Sequence, residues 1–185
     1  MYKFNYVLTD NDYFEFNRYH MENAPQMKKQ ITGLRLIAPA MLIIMIILSV
    51  LNRDETEDIT AFIIGSSFVF VFISIVWFFA AKLLLMFSLK AQIKLMKKDG
   101  KLPYGKNVSI EFDETFFIES TEINETKTKY ASIEKIAVSN NMIYVYFSAI
   151  QAFILPLSVF ESNEQKDAFL LFINDKKEES KNQII

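Results

Sequence analysis

Residues 76–101 read VWFFAAKLLLMFSLKAQIKLMKKDGK, a hydrophobic block that fills with lysines instead of stopping. Upstream, the run is free of charge back to residue 59, and a second apolar block, 34–51, carries Arg35 alone at its edge. At ~1.5 Å per helical residue each block covers ~30 Å of hydrocarbon, so both read as transmembrane helices and 34–81 as a two-span hairpin. A secretory signal does not explain the first block, which ends in LSVLNRDETED without a small-residue cleavage site.

The flanks set an orientation. The connection 52–58, NRDETED, has one arginine against four acids, whereas Lys28, Lys29 and Arg35 precede the hairpin and Lys82, Lys90, Lys94, Lys97, Lys98 and Lys101 follow it. The positive-inside rule then places both termini in the cytoplasm and the acidic loop outside, with the plasma membrane as the location. The six lysines of 82–101 face one aspartate, while 102–185 holds eight lysines against thirteen acids. The formal net charge of −2 averages these opposed regions, and the acidic soluble part argues against nucleic acid as a partner.

From 59 to 99 an unbroken helix measures ~60 Å, about twice the hydrocarbon thickness, so its end stands beyond the membrane. There Leu85, Leu89, Ile93 and Met96 keep an apolar stripe at helical spacing, opposite Lys90, Lys94, Lys97 and Lys98. The lysines are first a topology signal and second the solvated face of this basic extension, 82–101. As a ligand surface they, with Lys28 and Lys29, would contact anionic lipid headgroups. The stripe is expected to pack on the N-terminal helix around Phe16 and His20 or on the C-terminal domain.

Within the spans Pro39 predicts a kink, because it removes one backbone hydrogen bond. Ala61 and Gly65, four apart, make a face small enough for close helix packing, either on the first span or on a second copy. No Asp, Glu, His or Lys interrupts either span, which argues against a channel or carrier.

The N-terminal segment, 1–33, opens with alternation of Tyr2, Phe4, Tyr6 and Leu8, the period of a half-buried strand. Thr9 and Asp12 have capping-box spacing, predicting a helix from Asp10 to about Asn23 with Tyr13, Phe16 and His20 on one side. Two placements fit this aromatic helix: at the lipid headgroups beside Lys28 and Lys29, or on the C-terminal domain. Pro25 then ends it and begins the next.

The last segment, 102–185, alternates β-branched and aromatic runs with turns: 107–112, 116–120, 127–132, 133–139, 142–148 and 152–156. Asn140 and Asn141 predict a tight hairpin, since Asn tolerates positive φ. Ser162 and Gln165 cap a final helix whose stripe is Ala168, Phe169, Phe172 and Ile173. The fold class is therefore α+β: a transmembrane hairpin, and an antiparallel β-domain closed by a C-terminal amphipathic helix. The opening strand is expected to cross back and join that sheet, because an isolated strand is not stable. The order of elements is pleckstrin-homology-like.

FNYVLTDNDYFEFNRYH, the two spans, YASIEKIAVSNNMIYVYFSAIQAFILPLSVF and ESNEQKDAFLLFI together resemble the YcxB-like membrane proteins of Gram-positive bacteria. The resemblance implies a strand and short helix, a two-span hairpin and a small β-rich cytoplasmic domain, and it names no reaction. More distantly the arrangement is similar to bacterial membrane proteins with pleckstrin-homology-like domains, some associated with envelope stress or bacteriocin immunity.

Catalysis has little support. His20 is the only histidine, there is no cysteine, and the familiar zinc sites need more of both. The four glycines are dispersed, so no phosphate-cradling loop forms; Gly100 reads as a helix stop and Gly105 as part of a turn. Asp113, Glu114, Glu119, Glu122 and Glu125 gather near two turns, and a solvated hairpin rim explains them better than a calcium site. The expectation is a non-enzymatic, cofactor-free, membrane-anchored module that binds a partner protein or itself, through a sheet edge or a groove by the last helix. The alternatives are an anionic-lipid-engaging module and a bacteriocin-immunity or envelope-stress protein.

Overall fold

The computed structural model describes residues 1–51 and 59–182, with side chains from 64 onward in the helix that begins at 59; the acidic connection 52–58 and the side chain of Ala61 lie outside the described residues. Strand β1 (Tyr2–Val7) leads into helix α1 (Asp10–Asn23), and Pro25 opens α2 (Pro25–Leu51), which continues through Pro39. Helix α3 spans Ile59–Lys98. Six further strands follow: β2 (Asn107–Phe112), β3 (Phe116–Ser120), β4 (Glu125–Lys129), β5 (Lys135–Val138), β6 (Met142–Tyr146) and β7 (Ala152–Pro156), before α4 (Asn163–Asn182). The chain is α+β, and α2 and α3 are both long and apolar enough to cross a membrane. Their faces are mostly uncovered, with Ile31, Ala81 and Ile93 the buried positions among the described residues.

Two compact units result. One joins Met1–Tyr19 to Leu95–Ile185, and the other is His20–Lys94. In the first, β1 does cross back: it pairs antiparallel with β2 in the register Tyr2↔Phe112, Phe4↔Ile110, Tyr6↔Val108, and Lys3 reaches Glu111 at 3.1 Å across the same ladder. The sheets run β1-β2-β3-β4 and β5-β6-β7, all antiparallel. Period-2 alternation turns Phe4, Ile110, Phe112 and Phe117 of one sheet and Ile143, Val145, Phe153 and Leu155 of the other into a shared core. Phe169 and Ile173 of α4, both fully buried, complete it. The Phe169 ring stands edge-on to Tyr2, Phe4 and Phe112 at 4.9–5.4 Å, so α4 is tied to the first strand of the chain as well as to its neighbours.

Strand β6, MIYVY, is buried at all five positions. Ile143 and Val145 face the shared core, and Met142, Tyr144 and Tyr146 form a second cluster with Phe16 of α1. Phe16 lies 5.5 Å from the Tyr144 ring and Tyr19 lies 4.9 Å from it. Of the two placements open to the aromatic helix, the sheet has taken it: the face that would have met headgroups is occupied by β6.

Local signals explain most element ends. Thr9 Oγ1 accepts from the Asp12 N–H at 3.2 Å while Asp12 Oδ2 accepts from the Thr9 N–H at 2.9 Å, a reciprocal capping box. At α4 the Ser162 hydroxyl accepts from the Gln165 N–H at 3.2 Å, and Gln165 Oε1 reaches back to the Glu161 N–H at 2.7 Å. Helix α3 stops at Gly100, whose φ of 65° lets Lys101 N–H reach the Met96 carbonyl at 2.9 Å and Gly100 N–H the Lys97 carbonyl at 3.2 Å. Along the apolar stripe Leu85 and Leu89 are half-buried and Ile93 is buried, whereas Met96 is exposed.

The hairpin at Asn140 and Asn141 corrects the expectation of positive φ. No described non-glycine residue has one; instead Ser139 closes the turn, its N–H donating to the Met142 carbonyl at 2.8 Å and its hydroxyl accepting from the Met142 N–H at 3.1 Å. A serine side chain does here what left-handed asparagines do in other two-residue turns.

Phe169→Ala should lower the stability of the β-rich unit by about 3–5 kcal/mol, because a fully buried ring shared by β1, β2 and α4 leaves a cavity. Hydrogen exchange of the full chain in detergent checks this: amides of β1, β2 and β3 should lose protection while those of α2 and α3 keep it.

Candidate functional site

Strand parity creates the site. In β3 the fully buried Phe117 points between the sheets, so Glu119, two residues on, shares its inward face. Its opposite numbers are Ile110 on β2 and Thr126 on β4. Glu119 therefore looks into a groove of ≈ 510 Å³. The aromatic wall of the groove comes from Tyr13 and Phe16 of α1, Tyr104, and Phe147 after β6. Tyr13 and Tyr104 stack with centroids 4.9 Å apart, and Phe147 packs on Phe153 at 4.7 Å. Two turns form the lips: Thr121 to Asn124 between β3 and β4, and Ile150 and Gln151 between β6 and β7. Each lip carries an exposed apolar residue, Ile123 at 71% and Ile150 at 66%.

The floor is held by close fitting. A Cβ on Gly105 would lie 2.3 Å from the Thr121 Cβ, so this position must lack a side chain for the segment before β2 to pass under the β3–β4 turn. Thr121 in turn accepts from Asn124 N–H at 3.1 Å, and its own N–H donates to the Asn124 carbonyl at 2.8 Å. At the α1 end, the Asp10 carboxylate accepts from Lys97 and, at 2.8 Å, from the Tyr104 hydroxyl. Lys97 and then Tyr104 hold that carboxyl below the usual range, while burial, reinforced by Asp10, keeps the Tyr104 proton in place.

Glu119 is the one formally charged side chain among the described residues lining the groove. Burial pushes its carboxyl up to about 7. Beside it, burial and the Glu119 charge hold the Tyr6 hydroxyl protonated, and that hydroxyl donates to the Ile154 carbonyl at 2.7 Å. A single carboxyl among aromatic rings, without a built-in cation, suits a positively charged visitor that supplies both a counter-charge and a face for the rings.

The expected solvated rim of acids is thus corrected at Glu119, which strand parity turns inward. The others do lie at the turns: Asp113 Oδ1 accepts from Glu114 N–H at 2.8 Å, Glu122 from Asn107 N–H at 2.9 Å, and Glu125 from the Ser120 hydroxyl at 3.2 Å. Among the described residues no three such groups gather to hold a metal. Helix α4 buries Phe169 and Ile173 in the core and contributes no residue to this groove among the described residues.

The lysines named as lipid contacts separate. Lys28, Lys29, Lys90, Lys94, Lys97 and Lys98 are all exposed, but Lys97 is committed to Asp10 and Lys28 alone among them lines a recess with Arg35 and Lys82. A Cβ on Gly65 would meet nothing within 4 Å among the described residues, so that small face is open to them. His20 is half-buried in α1.

Comparison with protein families matches residues 112–173 to the YcxB-like protein family, a stretch running from the end of β2 through the lips of the groove to the buried Ile173. No curated protein and no solved structure matches the chain.

Between the ordinary carboxylate range and pH 7 folded Glu119 keeps a proton that the unfolded chain releases, so its contribution to stability is full at low pH and is lost as pH rises through about 7. Glu119→Gln should remove that slope and raise stability at pH 8 by on the order of 3 kcal/mol. Denaturation of the full chain at pH 5 and pH 8 measures both; an unchanged slope in the variant would place the titration elsewhere.

Proposed function

We propose that this protein is a membrane-anchored binding module whose groove receives a lysine- or arginine-bearing segment of a partner protein. The observation that carries the reading is Glu119, a carboxyl turned into an aromatic groove with no cation of its own among the described lining residues. A guanidinium or ammonium there stabilises the ionised form that burial disfavours, and its alkyl stem lies along Tyr13, Phe16 and Phe147. The exposed Ile123 and Ile150 at the lips add apolar contact for residues flanking the basic one.

The sheets of four and three strands closed by α4 support a pleckstrin-homology-like reading of the β-rich unit, here with two apolar helices inserted between its first and second strands. The lysine bias around those helices supports a bacterial plasma-membrane location with both termini cytoplasmic. We read the role as binding without catalysis or cofactor, since a lone histidine and no cysteine leave few groups for proton or nucleophile chemistry.

A photo-crosslinking side chain at Ile150 in the full chain, activated in the native membrane, tests this. The expected product is an adduct with a protein carrying a basic stretch, and Glu119→Lys should reduce its yield roughly tenfold by placing like charges together. Adducts confined to lipid, or yields equal in the two chains, would refute the reading.

A further inference from the structure

The second unit has a site of opposite character. Lys28 and Arg35 on α2 and Lys82 on α3 line a recess of ≈ 480 Å³ floored by Met21 and Ile31, with Glu22 as its one acid among the described residues. Glu22 pairs with Lys82 at 2.8 Å, so three cations face one carboxylate and the recess is left positive. Arg35 is pinned: its guanidinium carbon lies 4.2 Å from the Phe78 ring centroid, and its Nε is buried with no hydrogen-bond partner. A buried N–H on a cation without an acceptor is costly, and Arg35, which lines the recess, has no ion pair among the described residues to balance its charge there.

Sequence position gives the level. Arg35 is the last charge before the uncharged run 36–51, and Lys82 the first after the uncharged run 59–81. The recess therefore sits where both apolar runs meet the headgroup region on one side of the hairpin. Trp77, which donates to the Leu34 carbonyl at 2.9 Å, is the amphipathic residue favoured at that depth. Lys94, by contrast, lies ~18 Å further along α3 than Lys82, beyond a Debye length.

We propose that Arg35, Lys82 and Lys28 bind the phosphoryl group of an anionic phospholipid. Arginine offers directed donors to phosphate oxygens and the two lysines add point charges, while the net positive recess selects a headgroup without its own cation. This assigns lipid contact to residues at the membrane boundary, two of which lie outside the lysine set expected from the sequence.

Native mass spectrometry of the full chain, purified in a neutral detergent, gives the test. Apparent affinity should be higher for phosphatidylglycerol than for phosphatidylcholine. It should fall roughly tenfold in Lys82→Gln and in Arg35→Gln, the loss of one charge-assisted contact. Lys94→Gln should leave it unchanged. Helicity by circular dichroism separates binding loss from misfolding, and the exposed Lys28→Gln carries the test if the Arg35 variant does not fold. Inorganic phosphate that competes with phosphatidylglycerol would support the phosphoryl site and show that a free anion also fits. Equal affinities for the two lipids, or equal losses in the Lys94 and Lys82 variants, would overturn the proposal.

Discussion

The ladder between β1 and β2 is the interaction on which the remainder depends. Adjacent antiparallel strands are normally joined by a short turn, whereas here α1, α2 and α3 intervene between Val7 and Asn107. Loop length alone is a weak penalty, since each doubling costs only ~0.6 kcal/mol, and the excursion is largely helical. What it requires is that the outgoing and returning chain meet at one strand spacing of ~4.8 Å. The polar closure at the foot of the ladder meets this requirement: Asp10 at the start of α1 binds Lys97 at the end of α3 and Tyr104 just before β2. Phe4 and Tyr2 then place the first strand under Phe169, so the tail of the chain locks its head.

That arrangement also determines the groove. Once β1 is seated, α1 starts at Asp10 and lays Tyr13, Phe16 and Tyr19 against β6 and Tyr104. The helix thereby covers the outer face of a strand whose five residues are all apolar or aromatic. It also supplies a wall to a cavity that the sheets alone would leave open. A sheet strand buried on both faces has no polar side to show solvent, and MIYVY follows that rule.

Much of this was legible from residue patterns. Alternation located the strands, Thr9 with Asp12 and Ser162 with Gln165 located two helix starts, and Gly100 marked the end of α3. The tight turn at Asn140 and Asn141 follows from residue type, but its lack of positive φ does not, because residue type does not say whether side chain or backbone closes a turn and Ser139 makes the difference. The partner of α1 was undecided for a physical reason: an amphipathic aromatic helix suits a sheet and a headgroup layer equally, and only tertiary context chooses. Glu119 was open to discovery, since Phe117 and Glu119 are two apart in one strand, but a cluster of acids in sequence invites a surface reading before parity is counted. The lysines of 82–101 carry one sign and several roles. Lys82 pairs with Glu22 and Lys97 with Asp10, and sequence alone does not disclose these partners.

The chain thus holds a carboxyl in a groove of one unit and a set of cations in a recess of the other, and its near-neutral total charge conceals both. The two cannot exchange ligands. A phosphoryl group entering the groove would meet Glu119 with no cation beside it, and an ammonium entering the recess would meet Arg35, Lys28 and Lys82. Their responses to the medium also diverge. Lys82 and Glu22 are about two-fifths exposed, so attraction of an anion to the recess is screened as salt rises. Glu119 sits in a largely desolvated site where salt acts less and protons act more, because burial has brought its titration to about 7. Opposite charge and different exposure make the groove and the recess chemically independent, each suited to a ligand that the other repels.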